Sequence, residues 1–459
     1  MGSFTAWLKR KYFQLHPATL ILLSFVAVIV MGTLLLKLPA ASSSGFTSLI
    51  DALFTATSAV CVTGLVVLDT SSHFTLFGEI VILGLIQIGG LGLMTFSVLI
   101  FRLLGKSVSM RERMAVQDLF SSTASKDIYS ILKSIIGFTV IAEGLGTLCL
   151  FLHLSGQFPS AKAFYLSLFH AVSAFCNGGF SLFSGNLAGY SSDMVMNAVI
   201  VTLIVLGGIG FPIVYEALLR VKHRAKRPKW SLQSKVVWIT TAVLIASGML
   251  VFWIGESHLA LQGHNLKQSL LITLFQSVTC RTAGFNTIDI SALSTTTLSF
   301  MMFLMFVGGS PGSCAGGIKT TTLAVIAVFT WSRVRGKIRS NMFKKSIPIH
   351  IVNKCISLIF ISGVVIAACL FLLLLSSTHD PNVPHGHGMF LEYLFEVVSA
   401  FGTVGLSMGA TEILNVWGKT LIMVLMLAGR VGILTMAYVI VSREPNRGLQ
   451  YSEENLMIG

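Results

Sequence analysis

One pattern, met four times along the chain, limits its possible folds more than any other feature. The copies are Phe54-Thr-Ala-Thr-Ser-Ala-Val-Cys-Val-Thr-Gly64-Leu65, Phe169-His-Ala-Val-Ser-Ala-Phe-Cys-Asn-Gly-Gly179-Phe180, Phe275-Gln-Ser-Val-Thr-Cys-Arg-Thr-Ala-Gly284-Phe285 and Phe395-Glu-Val-Val-Ser-Ala-Phe-Gly-Thr-Val-Gly405-Leu406. Phe and Gly lie ten positions apart in three copies and nine in the third. Within 30 residues each copy is followed by a second glycine cluster: Gly89-Gly90-Leu91-Gly92, Gly207-Gly208-Ile209-Gly210, Gly308-Gly309-Ser310-Pro311-Gly312 and Gly429-Arg430-Val431-Gly432. Two motifs kept in one order through four copies define an internal repeat, whose units bury their apolar faces against one another.

The solvent of these units is a bilayer. Of 459 residues 54% are hydrophobic and 11% charged, with a mean hydropathy of +0.82. A water-soluble domain carries about 25% charged residues. Uncharged runs long enough to cross ~30 Å of hydrocarbon cover 18–36, 80–101, 194–215, 236–255 and 355–375, and 134–153 is interrupted by Glu143. Two more, 296–332 and 416–442, contain the deeply placed cations Lys319 and Arg430. The first run exceeds the 7–15 apolar residues of a cleaved signal and reads as a retained span. The expected fold is an all-α polytopic membrane protein with eight spans. Its four span–half-helix–span repeats surround one pore: 1–114, 115–222, 223–345 and 346–445, with 446–459 as a cytoplasmic tail.

The formal charge of +14 resolves by position. Lys and Arg cluster at 9–11, 102–126, 220–235, 333–354 and 443–447, which eight spans place on one face. The positive-inside rule makes that face cytoplasmic, with both termini inside. The opposite connections hold Asp51, Asp69, Glu79, Asp193, Glu256, Asp289, Asp380, Glu392, Glu396 and Glu412. The surplus therefore marks topology rather than a nucleic-acid surface.

Segments near 46–60, 163–175, 268–279 and 388–400 are too short to cross, so they re-enter from the acidic side as half-helices. Irregular backbone at membrane depth survives only when buried in protein or lining a watery path. Four glycine turns at the half-helix ends would ring their carbonyls about an axis and replace the hydration shell of an alkali cation. The second glycine set reads as close helix packing, with a bend near the pore as the alternative.

At these residues the chain resembles the Trk/Ktr/HKT superfamily of potassium transporters, and within it the Ktr-type membrane subunit. The similarity runs over nearly the whole chain. It is carried by Thr63-Gly64-Leu65, Gln87-Ile-Gly-Gly-Leu-Gly92, Arg281-Thr-Ala-Gly-Phe-Asn286 and Ser399-Ala-Phe-Gly-Thr-Val-Gly-Leu406. The resemblance implies potassium uptake across the plasma membrane. Its filter would be built from Val62, Thr63 and Gly64; Asn177, Gly178 and Gly179; Thr282, Ala283 and Gly284; and Thr403, Val404 and Gly405. Glycine at all four key positions implies preference for K⁺ over Na⁺, and Asn177-Gly178 is expected to loosen the second turn. It further implies a homodimer seated on a cytosolic ring of RCK-type nucleotide-binding subunits. This chain itself holds no nucleotide motif; its cargo is K⁺, with Na⁺ as a possible activator or symported ion. A Na⁺-coupled carrier of the same superfamily is the alternative reading.

The long segment 296–332 is interrupted by Gly308, Gly309, Ser310, Pro311, Gly312, Ser313, Cys314, Ala315, Gly316 and Gly317. Proline lacks a backbone donor, so a loop is expected here, and by resemblance it obstructs the pore below the filter. Lys319 and Arg430 each cost ~2.5–3.5 kcal/mol at mid-bilayer unless satisfied. Arg430 is expected to hold the loop and to repel cations, with a purely structural tie as the alternative. Lys319 either faces the loop or snorkels to the inner surface. Arg281 is expected to point behind the filter toward a carboxylate such as Glu396. Glu143 reads as a buried, hydrogen-bonded or protonated acid, and His170 as packing. The seven cysteines, odd in number and without a CxxC pair, read as free buried thiols. No base accompanies Ser313 or Cys314, so the chain is not expected to be an enzyme. The short, strongly basic loops at 220–235 and 333–354 suit anionic membrane lipid or a cytosolic regulatory subunit.

Overall fold

A computed structural model of the protein describes residues 17–92, 128–222, 229–378, 388–433 and 435–436. The basic segments 9–11, 102–126 and 443–447 and the tail 446–459 lie outside these residues. So do the ends of two expected spans, at 93–101 and 437–442.

The first repeat contains α1 (Pro17–Leu36), the half-helix α2 (Leu49–Val60) and α3 (Leu76–Leu91). The second contains α4 (Ile128–Leu154), the half-helix α5 (Ser160–Cys176), α6 (Met194–Ile209) and α7 (Phe211–Lys222). In the third, α8 (Leu232–Glu256) and the half-helix α9 (Leu266–Thr279) precede α10 (Thr295–Phe306) and α11 (Thr320–Val334). A two-stranded hairpin, β1 (Asn341–Met342) and β2 (Lys345–Ser346), leads into the fourth, with α12 (Ile349–Thr378), the half-helix α13 (Gly388–Gly402) and α14 (Val416–Val431). The half-helices fall where the sequence placed them.

The helix after each turn starts with the same local device. Thr75, Asp193, Ser294 and Asn415 each accept a hydrogen bond from the backbone N–H three residues on. This satisfies one of the donors that a helix N-terminus leaves free.

Among the described residues the spans are not all continuous helices. Lys133–Leu154, Leu232–Glu256 and Ile349–Ser376 are long and apolar enough to cross a membrane uninterrupted. The spans expected over 194–215 and 296–332 are both broken. Met194–Ile209 and Phe211–Val221 meet at a 97° bend, while α10 and α11 are separated by residues 307–319. The helices α3, α6 and α14 stop at Gly92, Gly210 and Gly432, whose φ values are 80°, 101° and 94°. That conformation ends a right-handed helix, and glycine alone adopts it freely. At Gly210 the second glycine cluster therefore bends the chain as well as packing it.

The long helices turn apolar side chains outward: Val140, Ile141 and Leu152 on α4, Val243 and Ile254 on α8, Phe360 and Phe371 on α12 are all exposed. Such a surface suits lipid tails. Inside, one buried cluster joins the first two repeats through Phe25, Ile82, Phe169 and Phe175. A second joins the last two and takes in Phe54 and Leu65 of the first. The seven cysteines are unpaired, and Cys149 differs from the expectation of burial, being exposed on α4.

Candidate ion pathway

Each half-helix ends in a turn of the same conformation. Two residues in every turn have positive φ: Val62 and Gly64 (55° and 89°), Asn177 and Gly179 (61° and 69°), Thr282 and Gly284 (72° and 78°), Thr403 and Gly405 (51° and 92°). Positive φ is rare outside glycine and marks strain at a β-branched residue such as Val62 or Thr403. Asn177 takes the same conformation as its counterparts, which Asn tolerates well. Its Nδ2 also donates to Thr282 Oγ1 at 3.3 Å, a lateral tie between the second and third turns.

A hydroxyl four residues after each repeat phenylalanine holds the turn. Ser58 and Ser399 accept from the N–H of Gly64 and Gly405, both at 3.1 Å. Ser173 donates to Phe180 O at 2.8 Å and Thr279 to Phe285 O at 2.5 Å. Sequence reasoning missed these residues, although Ser or Thr stands at that position in all four copies.

The four glycines meet in cyclic order. A Cβ on Gly64 would lie 2.6 Å from Gly178 O; on Gly179, 3.0 Å from Ala283 O; on Gly284, 2.6 Å from Val404 O. A Cβ on Gly405 would overlap Thr63 O and return the sequence to its start. Backbone therefore faces backbone around a closed circuit with no room for any side chain. The half-helices end here, and their C-termini add roughly half a negative charge each.

The second glycines bring the following helix onto the half-helix end. A Cβ on Gly89, Gly207 or Gly429 would overlap the carbonyl of Val60, Phe175 or Phe401, each six residues after its repeat phenylalanine. In the third repeat the carbonyl that a Cβ on Gly308 would overlap is Gly316 O, from the intramembrane loop itself.

That loop is held on several sides. Ser310 N and Cys314 N donate to Gly208 O and Gly207 O at 3.0 and 3.2 Å, and Phe211 N donates to Gly312 O at 2.9 Å. Thr320 Oγ1 donates to Ser310 Oγ at 3.2 Å. Ser313 Oγ closes a turn on Ser310 O at 2.7 Å, and Ala315 is buried. A Cβ on Gly316 or Gly308 would press on Thr403 or Thr282, the residues preceding the ring, and Gly317 and Gly309 lie against Gly402 and Gly208. The Arg430 guanidinium donates to two carbonyls, Cys314 O of the loop and Gly89 O of the first repeat. Lys319 Nζ donates to Ala315 O at 2.6 Å and Gly316 O at 3.4 Å, so it faces the loop and does not snorkel away.

Arg281 departs from expectation. Its guanidinium points behind the turn but donates to Thr241 Oγ1 at 3.4 Å, not to Glu396. Glu396 is occupied, accepting from Ser407 Oγ at 2.5 Å, Met408 N at 3.1 Å and Thr411 Oγ1 at 2.5 Å. Its position, one after the repeat phenylalanine, is polar and buried in every copy as Thr55, His170, Gln276 and Glu396. His170 Nε2 bonds Ser181 Oγ at 3.0 Å and Gln276 Nε2 donates to Thr287 Oγ1 at 3.2 Å, so in the last three copies this site pins the segment after the turn. Glu143 is buried, with Gln87 Nε2 at 3.4 Å and the Cys176 thiol as donors.

Residues following the ring glycines line a vestibule of about 270 Å³ with Asp69, Glu412, Asn286, Ser181 and Ser407 on its wall. The acidic face is less free than its composition implies. Asp51 pairs with Lys419 at 2.7 Å, Asp193 with His153 at 2.5 Å, and Glu79 accepts from Tyr165 at 2.7 Å. Asp69 and Glu412 remain exposed at the vestibule.

Four half-helices bring their backbone to one circuit beside a vestibule, with a loop packed against the turns, and that arrangement suits a membrane transport protein. Residues 5–447 match the family model described as TrkH, a cation transport protein, and the chain belongs to that family. It is 38% identical to the Ktr system potassium uptake protein B of Bacillus subtilis over 98% of each chain. It is also 38% identical to the potassium/sodium uptake protein NtpJ of Enterococcus hirae, over 98% of this chain and 99% of that one. Among solved structures, the potassium transporter TrkH from Vibrio parahaemolyticus shares the fold, with a TM-score of 0.68 at 19% identity over 91% of this chain and 84% of that one.

Proposed function

We propose that the chain is the ion-translocating subunit of a Ktr-type potassium uptake system in the plasma membrane, with both termini cytoplasmic. The observation that carries this reading is the closed circuit of Gly64, Gly179, Gly284 and Gly405. Carbonyls of the turns 62–64, 177–179, 282–284 and 403–405 take over the hydration shell of K⁺, and the half-helix C-termini stabilise its charge. The four repeats stand around the pore as a pseudo-fourfold set. The loop 308–317, fastened by Arg430 and Lys319, is the gate. Its opening is controlled by a cytosolic RCK-type ring that binds nucleotide, on which the chain sits as a homodimer.

The test is ⁸⁶Rb⁺ uptake and growth rescue in potassium-transport-deficient cells, comparing wild type with Gly64→Ser and Gly284→Ser. A Cβ at either site meets a neighbouring carbonyl at 2.6 Å, so both variants are expected to lose uptake or K⁺ over Na⁺ preference. Absent uptake by the wild type, or intact preference in both variants, defeats the assignment. The likeness to a relative named for potassium and sodium favours a second reading, in which Na⁺ is carried or couples transport. Uptake that depends on external Na⁺ would select it.

A further inference from the structure

The structure assigns a binding site for anionic phospholipid to the groove between α8 and the β1–β2 hairpin. This goes beyond the transport reading and rests on it only for the cytoplasmic orientation of the basic face. Trp230, Lys235, Trp238, Ile239 and Phe343 line a groove of about 550 Å³. Its walls are apolar and open: Trp238, Ile239 and Phe343 are 45%, 51% and 46% exposed. Phe343 and Lys344 form the hairpin tip with φ of 49° and 63°, a turn that holds the Phe343 ring out over α8. The Lys235 ammonium lies over that ring at 5.8 Å from its centroid, and the Arg220 guanidinium stacks on Trp230 at 4.3 Å.

The charge around this groove is predominantly positive. Lys229, Lys235, Lys344, Lys345 and Arg220 surround it, and the sequence holds no Asp or Glu between Glu216 and Glu256 or between Asp289 and Asp380. Glu216 is already engaged, accepting from Ser231 N at 2.7 Å and Ser231 Oγ at 2.8 Å. Exposed Trp and Phe beside uncompensated cations at the end of a spanning helix fit the boundary where headgroup meets acyl chain. Basic pockets between spanning helices on the cytoplasmic side take anionic headgroups. The occupant is one inner-leaflet lipid: its phosphate among Lys235, Lys344 and Lys345, and its chain along Trp238, Ile239 and Phe343.

The experiment uses the full chain reconstituted in phosphatidylcholine bilayers containing a fixed fraction of dibrominated phosphatidylglycerol or, separately, dibrominated phosphatidylcholine. Trp230 and Trp238 are two of the six tryptophans, and Trp230→Phe/Trp238→Phe supplies the background. Quenching by the brominated phosphatidylglycerol is expected to exceed that by brominated phosphatidylcholine, with the excess confined to these two rings. Each lysine neutralised among Lys235→Gln, Lys344→Gln and Lys345→Gln is expected to lower the preference about fivefold, as removal of one surface cation does. Equal quenching by the two lipids overturns the proposal, as does a preference that survives the triple substitution. Lys344→Gln/Lys345→Gln alters only the exposed hairpin, so it carries the test if the triple variant does not fold. Covering of the groove by another protein reads as equal, weak quenching and also overturns it.

Discussion

Removal of the Arg430 guanidinium is the most direct test of how the intramembrane loop is kept in place. Among the described residues, the Arg430 side chain joins that loop to the first repeat, through Cys314 O and Gly89 O. A hydrogen bond from a charged donor contributes about 1.5–3 kcal/mol net, so losing both costs the seated loop at least ~3 kcal/mol. That shifts the ratio of displaced to seated loop by about 150-fold. The backbone bonds from Ser310, Cys314 and Phe211 remain, so the loop loosens without the fold collapsing. In proteoliposomes lacking any cytosolic subunit, Arg430→Ala is expected to raise ⁸⁶Rb⁺ flux by one to two orders of magnitude. Two further variants separate the tie from a simple electrostatic barrier. Arg430→Lys keeps the charge but its single ammonium does not span two carbonyls, whereas Arg430→Gln removes the charge. If the tie governs, both raise flux; if charge alone governs, only the glutamine variant does. Flux unchanged or lowered in Arg430→Ala would refute the reasoning.

Other expectations are simpler to state. Gly89→Ala places a methyl on Val60 O, while Gly84, on the same helix, faces open space; uptake should fall at least tenfold in the first variant and stay unchanged in Gly84→Ala. The Lys419–Asp51 pair closes the circle between the fourth and first repeats and is largely shielded from water. Breaking it with Lys419→Ala is expected to cost between the ~1 kcal/mol of an exposed pair and the ~3 kcal/mol of a buried one and to lower the melting temperature of the purified protein, with Lys419→Asp/Asp51→Lys recovering part of the loss. Glu396→Gln replaces one of two accepting oxygens by a donor, facing Ser407 and Thr411 hydroxyls; K⁺ over Na⁺ preference in competition uptake should drop. Ser399→Ala leaves Gly405 N without its 3.1 Å partner, at about 1–3 kcal/mol for a buried donor, and should lower both thermal stability and uptake.

The half-helices and their turns were legible because their determinants are local. A phenylalanine, a small-residue stretch and a glycine recur at fixed spacing, and such a spacing can be read without any neighbour. The closed order of the ring was not legible, since it depends on which turn sits beside which. Arg281 shows the limit most clearly. Burial of its guanidinium away from the axis follows from electrostatics alone, but the choice between Glu396 and Thr241 depends on whether Glu396 is already saturated. It is, by groups eleven to fifteen residues further on. The break of 296–332 was legible from its glycines and Pro311, but the bend in 194–215 was missed for a related reason: hydropathy registers apolar composition, which Gly210 leaves undisturbed, whereas the chain direction there is set by one dihedral.

That dihedral has a mechanical meaning. α7 is a rod of about 18 Å at 1.5 Å per residue, jointed to α6 at Gly210. Its first residue donates a hydrogen bond to the loop at Gly312 O. The rod and the loop thus share a fulcrum. A sideways displacement of about 3 Å at the far end of α7 turns it by roughly 10° over that length. The torque of such a turn would be delivered at Gly312, where the loop is attached.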